Sequence, residues 1–312
     1  MSRESPQLAE AAATSAGTPW AGIALLFLAG TLWSLNGALI KLVIAEENPP
    51  HGVTIAFYRS LIAGVFLAPL AFGKARSLTR PDGIRLLWRL RPAAAACVVF
   101  FTLMTACFVI ATTMTAAANA IILQYTSTFW IIGLSPMILH ERAARRELWT
   151  VALAMIGIAV IFAGGASTSL AGLIIALAAG FFYALETMMI RRMRDSDSAA
   201  VTVLNKLGSA ALLLPAVCIV GSFQVSRRAL ILLAIMGIVQ FGLPYYLYTL
   251  GLARVPAYRA ALITMIEPVL VPVWAYMAVG EVVEKPTIAG GAMILAALLA
   301  FVWTARRRRG VA

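Results

Sequence analysis

The stretch RAALITMIEPVLVPVWAYMAVGE, residues 259–281, determines how the chain is interpreted. It is almost entirely apolar and long enough to cross a lipid bilayer, which takes about 20 residues of helix. Glu267 nevertheless stands in its middle, where an ionised carboxylate costs roughly 2.5–3.5 kcal/mol on insertion scales. An acid that is so unfavourable at membrane depth indicates a functional position.

Pro268 follows this acid directly. A proline has no backbone N–H, so the carbonyl one turn earlier, at Thr264, loses its helical partner. Irregular backbone at membrane depth is tolerated where it lines a cavity. We therefore expect Glu267 and the broken turn to face water or a substrate. The structural alternative is a protonated carboxyl group bonded to the backbone of a neighbouring helix.

The rest of the chain is similarly apolar. Of its 312 residues, 62% are hydrophobic and 12% are charged, whereas soluble domains carry about 25% charged residues. This composition predicts a polytopic membrane protein. The net charge of +12 comes from Lys and Arg in short loops, so no nucleic-acid partner is predicted. Because we find no metal-ligand spacing, phosphate-binding loop or nucleophile motif, we predict neither an enzyme nor a bound metal or cofactor.

Ten windows of about 20 apolar residues each predict a membrane-spanning helix. The windows cover 20–43, 52–72, 92–112, 116–139, 147–163, 170–190, 199–221, 229–251, 256–279 and 286–305. Only the segment TTMT, residues 112–115, separates the third span from the fourth. The predicted fold is thus an all-α membrane protein with ten transmembrane helices, and the lipid bilayer is its first partner. Nothing in the sequence requires an oligomer, and a monomer is compatible with this layout.

Positive charge is distributed unequally between the two sets of loops. The termini and the loops after spans 2, 4, 6 and 8 hold 18 Lys and Arg residues, whereas the opposite loops hold three. Because short cytoplasmic loops carry the excess of Lys and Arg, both termini are predicted to be cytoplasmic. In a bacterial cell this describes a multi-pass protein of the inner membrane.

The two halves of the chain resemble each other at offsets of 140 to 150 residues. The matched positions include Gly30 with Gly180, Trp33 with Tyr183, Asn36 with Glu186, Lys41 with Arg191, Arg59 with Lys206 and Glu141 with Glu281. Each half has five spans, and five is odd, so the second copy enters the membrane from the opposite side. Such inverted repeats are typical of transporters that work by alternating access.

This repeat divides the chain into four predicted parts. They are a cytoplasmic N-terminal segment (1–19), two five-helix repeats (20–163 and 164–305) and a basic cytoplasmic tail (306–312). The predicted fold is therefore two inverted five-helix repeats.

The chain resembles the EamA-type carriers of the drug/metabolite transporter superfamily over about residues 20–305. The resemblance rests on the ten spans in two repeats, the acids that end spans 4 and 9 in LHER (139–142) and VGEVVEK (279–285), and the EPV segment at 267–269. It implies a central cavity lined by helices 1–4 and 6–9, with helices 5 and 10 more peripheral. It also implies a carrier of small molecules, with exporters of amino acids among its members.

One position departs from the family pattern. The family often carries Glu-Pro in both repeats, whereas here Ser127–Thr128 occupies the position that corresponds to Glu267–Pro268. Whatever Glu267 does is therefore done by one half alone. Gln124 and Ser127 share a face of span 4, and several aromatic residues stand in the presumed lining spans. The candidate substrate-binding residues are Glu267, Gln124, Ser127, Trp33, Asn36, Tyr183 and Tyr248, although large aromatic residues in a bundle also serve packing or the membrane interface.

Other ionisable side chains also fall in or near the spans. Lys41 and Arg259 lie near helix ends, where they can reach the headgroups. We predict that Glu186 and Lys206 pair in the inner leaflet, and that Asn36 and Arg59 share the outer leaflet. Glu186, Lys206 and Arg59 are thus candidates for gating pairs or for binding a substrate carboxylate; the alternative is that these pairs only tie helices together.

We therefore predict a secondary membrane transporter that exports a small-molecule substrate, with amino acids favoured. A mostly neutral, aromatic cavity with one acid suits a zwitterion whose ammonium group meets Glu267. The alternatives are an exporter of cationic drugs or other metabolites that uses Glu267 as a proton site, and, from another class, a membrane scaffold or enzyme.

The charge distribution makes a direct prediction about topology. A reporter fused after Arg309 should behave as cytoplasmic, and cysteines placed at Ser167 or Thr168 should react with a membrane-impermeant reagent added from outside. The opposite labelling pattern would reject the inverted arrangement of the two halves.

Overall fold

In the computed structural model, the described residues are 19–74, 81–138, 148–163, 169–193, 198–252, 263–264 and 266–309. All regular elements in these ranges are helical. They are α1 (Pro19–Ile44), α2 (Gly52–Lys74), α3 (Pro81–Met114), α4 (Ala117–Gln124), α5 (Ser127–Ile138), α6 (Leu148–Ala163), α7 (Leu170–Arg192), α8 (Ser198–Val220), α9 (Arg227–Ile235), a π-helical segment (Met236–Gly242), α10 (Leu243–Leu252), α11 (Ile266–Val279) and α12 (Lys285–Arg309).

Every predicted span coincides with at least one of these helices over most of its described residues. Within the described ranges, six helical stretches are long and apolar enough to cross a membrane, and three shorter apolar helices accompany them. The chain is therefore an all-helical, multi-pass membrane protein. The basic segment after residue 305 continues α12 as far as Arg309. Arg259, Glu141, Ser167 and Thr168 lie outside the described residues.

The fourth span is two helices and not the continuous helix that we predicted. α4 ends at Gln124 and α5 begins at Ser127, with a turn at Tyr125–Thr126 between them. The Thr126 hydroxyl donates to the Leu123 carbonyl at 2.6 Å, and such local side-chain bonds compete with the regular helical pattern. The turn packs against α7 at Gly180, where a Cβ would lie 2.7 Å from the Leu123 carbonyl oxygen.

The eighth span is interrupted in a different way. Its middle turns are π-helical, and Pro244 follows them directly in α10. Proline has no N–H and its ring crowds the carbonyl four residues earlier, here that of Gln240, so a wider turn relieves the clash. The segment FGLPYYLYTLG, residues 241–251, thus begins in π-helical backbone and continues in α10.

The most extensive packing joins the two halves of the chain. α3 packs on α7, and the span formed by α9, the π segment and α10 packs on α1. α1 also packs on α11, as α7 packs on α4 and α5, while α2 packs on α8. The main buried apolar cluster takes residues from both halves, so neither half has a core independent of the other.

The fifth and tenth spans, α6 and α12, approach each other at two glycines. A Cβ on Gly157 would lie 2.7 Å from the Gly290 carbonyl oxygen, and a Cβ on Gly290 would clash with the Gly157 carbonyl oxygen. Because both obstacles are backbone atoms, they cannot move aside as a side chain would. The two helices therefore touch backbone to backbone at this point.

This contact predicts opposite effects for two Gly→Ala substitutions. Gly290→Ala should lower the thermal unfolding midpoint in detergent, because an overpacked contact lowers the free energy of unfolding by about 1–3 kcal/mol. Gly133→Ala is the matched control, since its Cβ would meet no heavy atom within 4 Å, and a tolerated Ala in a helix raises stability by about 0.4–1 kcal/mol. Equal midpoints for the two variants would contradict the close approach.

Candidate functional site

Glu267 does not stand alone at membrane depth. The Tyr125 hydroxyl donates to its Oε2 at 3.0 Å and lies 3.3 Å from the Thr264 carbonyl oxygen. The Thr264 carbonyl and the Glu267 carboxyl group of the second half therefore both lie within reach of one phenol from the interrupted span 4 of the first half. Glu267 and Tyr125 are both part-buried and not enclosed, as expected for groups that face a cavity.

Tyr125 is the site residue that the sequence interpretation left out. It lies between Gln124 and Ser127, the two residues chosen on that span. A signal was present, because a phenol combines apolar bulk with one hydrogen-bond donor and so suits a buried acid. The candidates on this span were chosen because Gln124 and Ser127 share a helix face, and Tyr125 does not lie on that face.

Three of the predicted aromatic residues gather beside this pair. Tyr183 is within electrostatic range of Glu267, Tyr125 and Tyr248, and 37% of its surface is exposed. The ring of Trp33 lies 5.2 Å from that of Tyr248. The structure thus brings Glu267, Tyr183, Tyr248 and Trp33 into one region, with Tyr125 added.

The polar candidates on span 4 have other neighbours. The Gln124 amide donates to the sulfur of Met104 at 3.1 Å, and Ser127 is buried. Among the described residues, no hydrogen bond joins either of them to Glu267. They stay candidates by position and are not direct partners of the acid.

Asn36 and Arg59 pair as expected. Arg59 is buried and donates through Nη1 to the Asn36 side-chain oxygen at 2.9 Å, and through Nη2 to the Thr105 hydroxyl. Its guanidinium carbon lies 4.3 Å from the centre of the Phe241 ring. Asn36 therefore serves this buried cation through its side-chain oxygen in the structure, and its contact with a substrate stays a prediction.

The predicted pair of Glu186 and Lys206 is not formed here. No ion pair links them within the described part of the chain. The Lys206 ammonium lies against aromatic faces, 3.1 Å from the centre of Phe241 and 3.8 Å from that of Tyr245. Glu186 accepts a long hydrogen bond of 3.4 Å from the Asn205 amide at its Oε1 atom. The expectation of a direct contact was wrong for this conformation, because ring faces occupy the space around the ammonium.

A second polar cluster ties helix ends together. Lys41 forms an ion pair with Glu281 at 2.8 Å and also donates to the Thr115 carbonyl at 2.8 Å. The other Glu281 oxygen accepts from the backbone N–H of Ala117 at 2.8 Å. One carboxylate thus joins the end of α1, the start of α4 and the end of α11. Lys41 is an ion-pair partner and not the free headgroup anchor that we expected.

No group of three or more His, Cys, Asp or Glu residues that could hold a metal ion occurs in the ranges that the structure describes. The chemistry of the site therefore rests on one carboxylate, phenols and aromatic faces.

Comparison with known proteins assigns the family. The model of the EamA-like transporter family matches the chain twice, over residues 20–163 and 170–303. The chain belongs to the EamA-like transporter family. The resemblance inferred from the EPV segment and the ten spans is thereby confirmed, and the protein is a membrane transporter.

Relatives of this transporter carry related descriptions. An uncharacterized transporter of Archaeoglobus fulgidus is 31% identical over 237 residues, which cover 75% of this chain and 81% of that protein. A probable amino-acid metabolite efflux pump of Salmonella typhimurium is 26% identical over 211 residues, 63% of this chain and 70% of that protein. A solved crystal structure with 18% identity superposes with a TM-score of 0.63 and covers 92% of this chain and 98% of that one, so it shares the fold.

The helix-end cluster predicts an order of stability among variants of this transporter. Glu281→Gln keeps an acceptor for Ala117 but loses the charge that pairs with Lys41, whereas Glu281→Ala loses both contacts. We expect the thermal unfolding midpoint to fall from wild type to Gln to Ala, since hydrogen bonds to charged groups contribute about 1.5–3 kcal/mol each.

Lys41→Met serves as the control for that order. In the Glu281→Ala background it should lower the midpoint little further, because the ion-pair partner is already gone. Full additivity of the two losses would contradict the pair.

Proposed function

We propose that this EamA-like transporter exports small metabolites that carry an ammonium group, amino acids in particular. The observation that carries the proposal is the part-buried carboxylate of Glu267. It lies beside the turn that interrupts span 4 and accepts a hydrogen bond from Tyr125, which is part of that turn. A carboxylate at membrane depth is costly, and a cation that reaches it from a cavity would offset that cost.

The side chains around Glu267 suit an ammonium group. Tyr183, Tyr248 and Trp33 present ring faces and hydroxyl groups, and aromatic faces attract ammonium ions through their quadrupoles. The carboxylate of an amino acid would then be left to neutral donors such as the Gln124 amide. The description of the Salmonella relative as a probable amino-acid metabolite efflux pump supports the same substrate class.

Alternating access between two inverted five-helix repeats is the proposed mechanism. The double match of the family model supports two repeats, which we place at 20–163 and 164–305. The packing pattern is also in accord, because span 3 packs on span 6 as span 8 packs on span 1. Together with the loop charges, this supports cytoplasmic termini in a bacterial inner membrane.

A second candidate function is proton-coupled export of cationic drugs or other metabolites. The Tyr125 hydroxyl has one hydrogen, yet two acceptors lie within its reach, Glu267 Oε2 and the Thr264 carbonyl. Both bonds reach full strength only when the carboxyl group is protonated and donates to the phenol, which then donates to the carbonyl. This chain of bonds gives Glu267 a place to hold a proton.

Counterflow of radiolabelled amino acids in liposomes tests both candidates. Glu267→Gln should fold normally, because the amide has nearly the same size, but should reduce exchange at least about tenfold if the acid binds an ammonium group. Glu47→Gln is the matched control, since Glu47 is an exposed loop acid.

The outcomes separate the candidates. Amino-acid exchange by the wild type that is lost in Glu267→Gln supports the ammonium site. No amino-acid exchange, with uptake of a cationic dye that depends on a pH gradient and on Glu267, supports the second candidate. Near-normal exchange in a well-folded Glu267→Gln carrier, with unchanged pH dependence, would leave Glu267 as a structural residue beside Pro268.

A further inference from the structure

Two buried cations from opposite halves share one aromatic ring at the centre of the bundle. Arg59 of α2 and Lys206 of α8 are 2% and 0% exposed. Both lie against Phe241, with the guanidinium carbon 4.3 Å and the ammonium nitrogen 3.1 Å from the ring centre. The offset of 147 residues that relates α2 to α8 makes these two cations counterparts of each other.

The neighbours of the two cations are counterparts as well. Arg59 contacts two polar side chains and one ring, and the offsets of 150 and 140 residues assign each of them an equivalent in the other half. The equivalents are Asn36 with Glu186, Thr105 with Tyr245, and Phe241 with Phe101. Lys206 does contact Phe101, at 4.4 Å, and Tyr245, at 3.8 Å.

Phe101 and Phe241 stack on each other, with their centres 6.0 Å apart and their planes 20° from parallel. A residue that contacts its own counterpart lies close to the axis that relates the two halves. The cluster of Arg59, Lys206 and these two rings, which we call the axis cluster, is therefore situated where the halves meet.

Only one of the three contacts made by Arg59 lacks its equivalent at Lys206. Arg59 is bonded to Asn36, whereas Lys206 is not bonded to Glu186, although each is within electrostatic range of the other. The Lys206 ammonium has no hydrogen-bond partner among the described residues, and the same holds for Oε2 of Glu186. A buried donor and a buried acceptor of opposite charge are thus left unmatched next to each other, which is costly.

We propose that Glu186 and Lys206 form an ion pair in the alternate conformation of the carrier, in which the substrate cavity opens to the other side of the membrane. The inference rests on the alternating access proposed above. In an inverted repeat, each half takes up the arrangement of the other half when the orientation reverses. Lys206 then acquires the arrangement that Arg59 has here, with Glu186 in the place of Asn36, and Arg59 releases Asn36 but stays in contact with Thr105, as Lys206 contacts Tyr245 here.

The axis cluster is then a switch with two positions, each satisfying one cation. In the position observed here the bonded pair is a guanidinium and an amide, and in the other it is an ammonium and a carboxylate. A substitution that removes one bond disfavours only the position that uses it. Substitutions of Asn36 and of Glu186 should therefore shift the conformational equilibrium in opposite directions.

Spin-label distance measurements in lipid nanodiscs test this inference. Labels at Asn48 and Val282 report on the loops that follow α1 and α11, whose ends the Lys41–Glu281 ion pair joins in this structure. The three native cysteines are replaced by serine. Reversal of the orientation separates these helix ends, so the short distance marks the present conformation and a longer one marks the other.

The expected shifts have opposite signs. Glu186→Gln should lower the ratio of long to short distances at least about fivefold, and Asn36→Ala should raise it by a similar factor, the lower end of couplings between conformational states. Lys206→Met should lower the ratio as Glu186→Gln does, and the double variant should lower it no further. General loss of packing would not give shifts of opposite sign.

Two results would overturn the inference. One is a ratio that moves in the same direction in Glu186→Gln and Asn36→Ala, and the other is a ratio that none of these variants changes. Because the labels are read without substrate, a carrier that shows the predicted shifts but exchanges no amino acid would overturn only the proposed substrate. A carrier that exchanges amino acids without the shifts would overturn only the switch.

Discussion

Backbone polar groups inside a bilayer have no water to bond to, and this constraint governs where the bundle departs from regular helix. At two places a side chain supplies a hydrogen bond to a backbone carbonyl next to such a departure or next to a proline. The Thr126 hydroxyl donates to a carbonyl at the break in span 4. The Tyr125 hydroxyl reaches the Thr264 carbonyl in span 9. The Tyr125 contacts also hold Glu267 and Tyr125 together. The candidate site therefore lies where side chains form hydrogen bonds with backbone groups of interrupted helices.

Buried charged side chains also need hydrogen-bond or ion-pair partners, and most but not all of those described here have them. Lys41 and Glu281 satisfy each other at the helix ends, and Arg59 finds an amide and a hydroxyl. Among the described residues, Lys206 has ring faces in contact with its ammonium group but no hydrogen-bond acceptor. In a protein with a single stable arrangement such a group would be hard to explain, whereas a transporter needs groups whose best partner is reached in another conformation.

The sequence sufficed to predict the helical, multi-pass membrane fold and the family, because apolar length and the EPV segment are local signals. It also indicated that Asn36 and Arg59 lie at a similar depth, and the two side chains are hydrogen-bonded to each other. It failed for Tyr125 and for the partner of Lys41, since both depend on which helices pack together. The pairing of Glu186 with Lys206 was inferred from depth alone, and depth does not reveal that three rings stand around the ammonium.

The π-helical segment of span 8 has a consequence for how this protein can change over evolutionary time. Each residue in an α-helix adds about 100° of rotation, so the wider turns at Met236–Gly242 set the angle at which the side chains of α10 emerge. Tyr245 and Tyr248 reach Trp33 at 5.2 Å because of that angle. A single-residue deletion in this segment would rotate both phenols away from the centre while leaving the span apolar and long enough to insert. The contacts of Tyr245 and Tyr248 with Trp33 would then be lost without a detectable change in the hydropathy of the chain.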